Sequence, residues 1–242
     1  MAADPILSGR GVSKSYGALR VLREVDFAVF PGEVFGVLGP NGAGKTTLFN
    51  TISGDAALDA GVLSFAGEAL QSEPPHKRCR RGIGRTYQIP KPYGAMSTFE
   101  NLLVSAMFGA RRSTREAYGQ CNAILEDCGL ADEANRPAGK LTLLDRKRLE
   151  LARALASNPK VLLLDEIAGG LTEEESRLLV NLVRQIRDRG VTIVWIEHVL
   201  NAILAVADRI LVLNFGEKIA EGLPQAVLAD PEVRRVYMGI EA

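Results

Sequence analysis

The sequence predicts an α/β fold with a core of buried parallel strands, an antiparallel β-subdomain near the N-terminus and a helical insertion in the second third. Three observations predict it. Residues 33–52 read as strand, glycine-rich loop and helix. Val161-Leu162-Leu163-Leu164 and Val191 to Ile196 are short, almost wholly apolar runs of the kind that parallel strands show when both faces are covered. Residues 98–158 carry helix caps and helical spacing and no strand pattern.

Taken in order, Ile6 to Tyr16 and Val21 to Phe30 alternate apolar and polar, break at Gly17, and read as antiparallel strands. Pro31-Gly32 is a turn into the strand Glu33 to Leu38, and a helix runs through Leu48 to Ile52. Residues 61–66 form a further strand closed by Gly67-Glu68. Residues 74–81 are a short basic helix with proline at its start, its charges on a solvated face and His76 exposed. Gly82 to Gln88 reads as a strand ending in Gln88. Pro90 and Pro92 exclude helix and central strand from residues 89–96, which leaves an exposed connector with apolar side chains suited to a partner.

Three helices are expected in the insertion. The first runs from Thr98 through Phe108, the second from a cap at Ser113 or Thr114 to Cys128-Gly129, and the third from about Asp145 to Ser157, stopped at Asn158-Pro159. Residues 161–166 return to a buried strand ending in Asp165-Glu166. Glu173 to Arg189 is an amphipathic helix with Leu178, Leu182 and Ile186 on one stripe, Leu179 and Val183 beside it, and Gly190 at its end. The strand 191–196 ends in Glu197-His198. Strands at 210–213 and 218–220 and short helices around Pro224 and Pro231 close the chain.

The loop Gly39-Pro40-Asn41-Gly42-Ala43-Gly44-Lys45-Thr46-Thr47 has the spacing of a phosphate-binding loop: Gly, four residues, Gly, Lys, Thr. Glycines let backbone N–H groups converge on a triphosphate, and the helix behind them turns its positive end toward the anion. Lys45 reaches the β- and γ-phosphates, and the Thr46 hydroxyl can bind Mg²⁺. Four aliphatics followed by Asp165 fit the second nucleotide motif, in which the Asp holds Mg²⁺ through water; Glu166 beside it can take a proton from an attacking water. Tyr16 is either a half-buried strand aromatic or a platform for an adenine ring. His198 is either structural or a γ-phosphate contact, because it follows a strand whose end converges on the ligand.

The chain has 242 residues, 29 basic and 29 acidic, so its formal net charge is zero and nucleic acid is not an expected partner. Cys79, Cys121 and Cys128 lack metal-ligand spacing and read as thiols of a reducing compartment. No secretory leader is expected from the opening residues, and no apolar run reaches the ~20 residues that span a bilayer. Any membrane part is therefore expected on another chain.

The ordered set of Tyr16, residues 39–47, Gln88, the helical insertion, Asp165-Glu166 and His198 resembles the ATP-binding subunit of an ABC transporter over nearly the whole chain. Residues 82–88, Trp195 to His198 and the tail from Ile219 through Tyr237-Met238-Gly239 look like the ATPases of branched-chain amino-acid importers. The resemblance implies one ABC ATPase domain over 1–242. Residues 1–90 and 159–242 would form the phosphate-loop core with its β-subdomain, and 91–158 a helical subdomain carrying a signature segment. It implies ATP and Mg²⁺ as cofactors and ATP hydrolysis that energises a membrane importer. Tyr16 would stack on adenine, Gln88 would sense γ-phosphate and Mg²⁺, Glu166 would be the base, and His198 would contact γ-phosphate. Implied partners are integral-membrane permease subunits near the connector, a second ATPase subunit in a head-to-tail dimer, and indirectly a solute-binding protein. The implied location is the cytoplasmic face of the cell membrane. A soluble regulatory ATPase of the same family and a nucleotide kinase are the competing readings.

The chain departs from the family pattern at the signature. Leu141-Thr142-Leu143-Leu144-Asp145 stands where Leu-Ser-Gly-Gly-Gln is usual; leucine resists the backbone conformations that glycine allows there, and the Thr142 hydroxyl and the helix N-terminus behind it remain as donors to the nucleotide. Ile167 replaces a usual proline, and Thr172 a usual Asp or Asn. A heterodimer with one weaker site is the favoured expectation that follows; a homodimer, or a pair in which both sites work, is the alternative.

Overall fold

A computed structural model describes residues 4–70 and 73–238; Met1 to Ala3 and Gly239 of the C-terminal tail lie outside the described residues. In chain order the first elements are β1 (Leu7–Tyr16), β2 (Leu19–Val29), β3 (Val34–Leu38), α1 (Lys45–Ser53), β4 (Ala60–Phe65), β5 (Glu68–Ala69), α2 (Pro75–Arg81) and β6 (Ile83–Arg85). The helices α3 (Thr98–Val104), α4 (Thr114–Asp127) and α5 (Leu143–Ala156) follow. Then come β7 (Val161–Asp165), α6 (Glu173–Asp188), β8 (Thr192–Ile196), α7 (Leu200–Leu204), β9 (Arg209–Asn214), β10 (Glu217–Gly222), α8 (Pro224–Ala229) and α9 (Pro231–Met238).

Six strands form one sheet in the order β10-β9-β3-β8-β7-β6, all parallel except β10. Side chains alternate across it. Leu162, Leu164, Ile193 and Trp195 join the helices α4, α5 and α6 in one core; Val161, Leu163, Val194 and Ile196 join α1 and the second sheet in another. Both faces are buried, which is why these strands are apolar without interruption in the sequence. The second sheet is antiparallel, in the order β2-β1-β4-β5, and packs Leu7, Val25, Phe27 and Phe65 toward α1.

Four elements differ from the sequence reading. β6 stops at Arg85, because beyond it the Thr86 hydroxyl, not a strand carbonyl, accepts the Asp165 N–H at 3.1 Å. Gln88 therefore stands three residues past the strand. The first inserted helix is α-helical only to Val104 and continues as a π turn over Ser105–Gly109. In α6 the buried face is Leu179, Leu182, Val183 and Ile186, at i, i+3, i+4 and i+7; Leu178 falls off that face and is 46% exposed. The basic run in α2 is not wholly solvated either, since Arg78 is only 3% exposed.

Arg78 plugs the end of the helix that carries the phosphate loop. Its guanidinium donates to the carbonyls of Thr51 (2.5 Å), Ile52 (2.9 Å), Leu70 (2.7 Å) and Glu73 (2.8 Å). Two of these belong to the last turn of α1, whose carbonyls have no partner within the helix. Substituting Arg78→Met keeps the bulk and removes every donor. It should cost about 3 kcal/mol of unfolding free energy, the scale of stranding several buried carbonyls. Urea denaturation measures this, and an unchanged midpoint would make the plug dispensable.

Candidate functional site

The loop between β3 and α1 is shaped by contacts that exclude a side chain. Gly44, the N-cap of α1, has φ 102°, and a Cβ there would lie 2.7 Å from the Val21 carbonyl oxygen. At Gly39 a Cβ would meet the Leu213 carbonyl oxygen at 2.3 Å. The backbone between them is left free to wrap an anion at the start of α1. Lys45 is buried and donates to the carbonyls of Gly39 (2.7 Å) and Pro40 (3.1 Å). Burial lowers its pKa, and the nearby carboxylates of Glu166 and Asp165 oppose that shift.

A cavity of about 340 Å³ is lined by Val21, the loop from Asn41 to Thr47, Gln88, Glu166 and His198. Residues from five separate stretches thus meet at one place, beyond the carboxyl ends of β3, β7 and β8. That is where open α/β sheets bind ligands. Glu166 follows β7 in a left-handed conformation, φ 48°, with its N–H donated to the Ile196 carbonyl at 2.9 Å. Its carboxylate sits between the Gln88 amide and the His198 ring, whose Nε2 lies 2.5 Å away. The three side chains form one contiguous polar group at the mouth of the loop.

Asp165 lies behind them and is buried. Its Oδ2 accepts from Arg85 at 3.1 Å, and its Oδ1 is buried with no hydrogen-bond partner. Burial raises its pKa, and the Arg85 charge opposes the rise. A buried carboxylate oxygen without a donor is costly unless a cation or its water meets it.

Two further residues hold this region, and the sequence reading gave neither a role. Glu197 is fully buried and accepts N–H groups from Ala168 (2.6 Å), His198 (2.9 Å) and Val199 (3.3 Å). It fixes the turn that carries His198 and ties it to the segment after Glu166. Burial raises its pKa, with those three N–H bonds opposing. Lys147 on α5 is also buried and donates to the Glu166 carbonyl at 3.1 Å. A carboxylate ending an apolar strand was a visible signal for Glu197; a lysine within a basic helical run gave none for Lys147.

Tyr16 ends β1 half-exposed, with the Lys14 ammonium 5.4 Å from its ring centroid, and is not among the cavity's lining residues. Thr142 stands apart too, as the N-cap of α5: its hydroxyl accepts the Asp145 N–H (3.2 Å) and donates to Asp145 Oδ2 (2.6 Å). Leu143 and Leu144 lie in the first turn of α5 with ordinary negative φ. The backbone there does not resist leucine as expected, so the departure from glycine changes side-chain bulk and not chain conformation. Thr172 likewise caps α6 in a reciprocal pair with Glu175.

A strand–loop–helix phosphate cradle, two carboxylates at the next strand's end and a Gln–Glu–His group across from the loop define a nucleotide-binding ATPase of the phosphate-loop class. The profile of the ABC transporter family matches residues 22–169, and the chain belongs to that family. Residues 217–242 match the profile described as branched-chain amino acid ATP-binding cassette transporter. The chain is 36% identical over 250 residues to the high-affinity branched-chain amino acid transport ATP-binding protein BraF of Pseudomonas aeruginosa, covering 97% of this chain and 98% of that one. It is 34% identical to LivG of Escherichia coli K12, with the same description, covering 98% and 99%. A nucleotide-free ATP-binding cassette from an ABC transporter superposes with a TM-score of 0.89 at 31% identity, covering 98% of this chain and all of that one.

Lys45→Ala should weaken ATP binding by about a hundredfold, since a buried charge-assisted phosphate contact is worth about 3 kcal/mol. Fluorescence titration with a labelled ATP analogue reads this, and unchanged affinity would remove Lys45 from the cradle.

Proposed function

We propose that this chain binds and hydrolyses ATP at the cytoplasmic face of the cell membrane to drive an importer for branched-chain or similar small polar amino acids. The observation that carries the site is the meeting of residues 41–47, Gln88, Glu166 and His198 in one cavity. The solute reading rests on the relatives and on the C-terminal profile. Residues 39–47 hold the phosphates and Tyr16 offers its exposed ring to adenine. Glu166 takes the proton of the attacking water, oriented by Gln88 on one side and His198 on the other. His198 also reaches the γ-phosphate.

The donor set suits Mg²⁺. Thr46, Gln88 and Asp165 supply hard oxygens, and the unpartnered Asp165 Oδ1 is the kind of atom that a metal-bound water satisfies. When bound, the ion neutralises charge on the β- and γ-phosphates.

Among the described residues no helix is long and apolar enough to cross a membrane, and permease subunits would supply that part. Their docking place is the connector and the groove beside it. Ile89 is 70% exposed and Phe108 67%, and Tyr93 is half-exposed. A groove of about 530 Å³ opens between β6, α5 and the π turn, lined by Tyr87, Lys91, Phe108 and Arg153 among others. Residues 91–158 serve as a helical subdomain that relays its occupancy to the core formed by 1–90 and 159–242. Tyr93→Ala should leave ATPase activity of the isolated subunit within about twofold and reduce ATP-driven uptake in the reconstituted complex about tenfold. Equal loss in the isolated subunit would make Tyr93 a folding residue. The whole reading is tested by purifying the native complex: co-purifying membrane-spanning chains and leucine uptake are expected, and a complex lacking any membrane chain would sink it.

The second ATPase subunit is a different chain. Across a head-to-tail dimer this chain's signature faces the partner's nucleotide, and its Thr142 hydroxyl is already committed to Asp145. Asp145 brings a negative charge, and Leu143 and Leu144 add bulk. The site built from this chain's phosphate loop and the partner's signature is the faster one. Glu166→Gln in this chain should then remove most of the heterodimer's turnover, and the equivalent partner mutation much less. Equal losses would mean that both sites work alike.

A further inference from the structure

Arg85 lies behind the nucleotide cavity and is not among the residues that line it. Its side chain is 7% exposed and that of Asp165 is 3% exposed. One guanidinium nitrogen, Nη2, meets Asp165 Oδ2 at 3.1 Å. The other, Nη1, reaches Asn50 Oδ1 (2.8 Å), Ser53 Oγ (2.9 Å) and Asp55 Oδ2 (2.9 Å) around the end of α1. The plane is flanked by the Phe49 and Tyr87 rings, with centroids at 5.8 and 5.0 Å. One planar, permanently charged group therefore ties the last residue of β7 to the helix whose first turn is the phosphate loop.

We infer that Arg85 is a positioning residue for the metal-binding carboxylate: it occupies Oδ2 of Asp165, turns Oδ1 toward the nucleotide's cation and fixes that carboxylate relative to α1. The inference rests on the reading of Asp165 as the Mg²⁺ carboxylate. Two points support it. The two oxygens of Asp165 are already distinguished, one donor-bonded and one without a partner. Partners of metal-binding carboxylates orient them, and removing one costs about ten- to a hundredfold in metal affinity. Lysine is a poor substitute, because a single ammonium cannot span Asp165 and the α1 end at once.

The test uses the full chain with Mn²⁺ and a non-hydrolysable ATP analogue. Mn²⁺ affinity is read by electron paramagnetic resonance, and analogue affinity is measured separately in EDTA. Arg85→Met should weaken Mn²⁺ binding about tenfold or more, and Arg85→Lys about threefold, while affinity in EDTA stays within twofold. If Arg85→Met does not fold, Arg85→Lys decides alone. Mn²⁺ affinity within twofold of wild type in a folded variant overturns the inference. So does a loss of analogue affinity in EDTA as large as the loss of Mn²⁺ affinity, which would mark a structural tie. Asp165→Asn separates the two levels. If it too leaves Mn²⁺ affinity intact, the metal reading falls and takes this inference with it. If it weakens Mn²⁺ binding while the Arg85 variants do not, Arg85 alone is wrongly assigned.

Discussion

Asp165, Glu166 and Glu197 gather at the ends of two neighbouring buried strands, two of them with almost no access to water. Carboxylates so placed cost several kcal/mol each unless something compensates. The surroundings supply that compensation by three routes. Arg85 meets Asp165 through a guanidinium, the backbone turns after β7 and β8 meet Glu197 through N–H groups, and Gln88 and His198 meet Glu166. Lys45 and Lys147 add positive charge from the loop and from α5, and burial lowers the pKa of both. The stretches that provide these groups begin near residue 45 and end near 199, so the folded sheet is what brings the compensation together. The site and the fold depend on each other through this charge balance.

The sheet was legible because its strands are covered on both faces, so Val161 to Leu164 and Val191 to Ile196 stand out as apolar runs. The phosphate loop was legible because its backbone geometry admits only glycine at contacts such as the one between position 44 and Val21. Boundaries were less legible. The end of β6 is decided by a side-chain hydroxyl that replaces a ladder carbonyl, and no local pattern announces that exchange. Arg78 and Lys147 were hidden because each lies in a basic helical run, and Arg85 because it stands singly in a short strand; in all three only tertiary packing turns the head group inward. Leu178 shows the reverse case, an apolar residue one position off the buried face of α6.

The signature segment illustrates how a departure from a family pattern changes meaning once its backbone is known. Two leucines in place of two glycines suggested a conformational penalty. In the structure these residues already belong to a helix, and its cap is formed by Thr142 and Asp145, both of which differ from the usual residues. The substitutions are mutually consistent: threonine caps, aspartate answers the helix N-terminus, and the leucines extend the first turn.

The connector has a further property. Although it holds two prolines and belongs to no regular element, it is tied down at successive points. The Lys91 N–H donates to the buried Glu150 carboxylate (2.9 Å), the Tyr93 backbone exchanges two bonds with the buried Asn101 side chain (2.9 and 3.2 Å), and Gly94 accepts from Gly139 (3.0 Å). Arg153 bonds Glu150 and the Lys91 carbonyl while its guanidinium covers the Tyr93 ring at 5.0 Å. Most of the entropy that an irregular segment loses on association has therefore been spent during folding. A partner of the kind proposed for this surface would meet a preformed relief, so that recognition there would be closer to rigid docking than to coupled ordering, its rate set by encounter and alignment more than by a search among loop conformations.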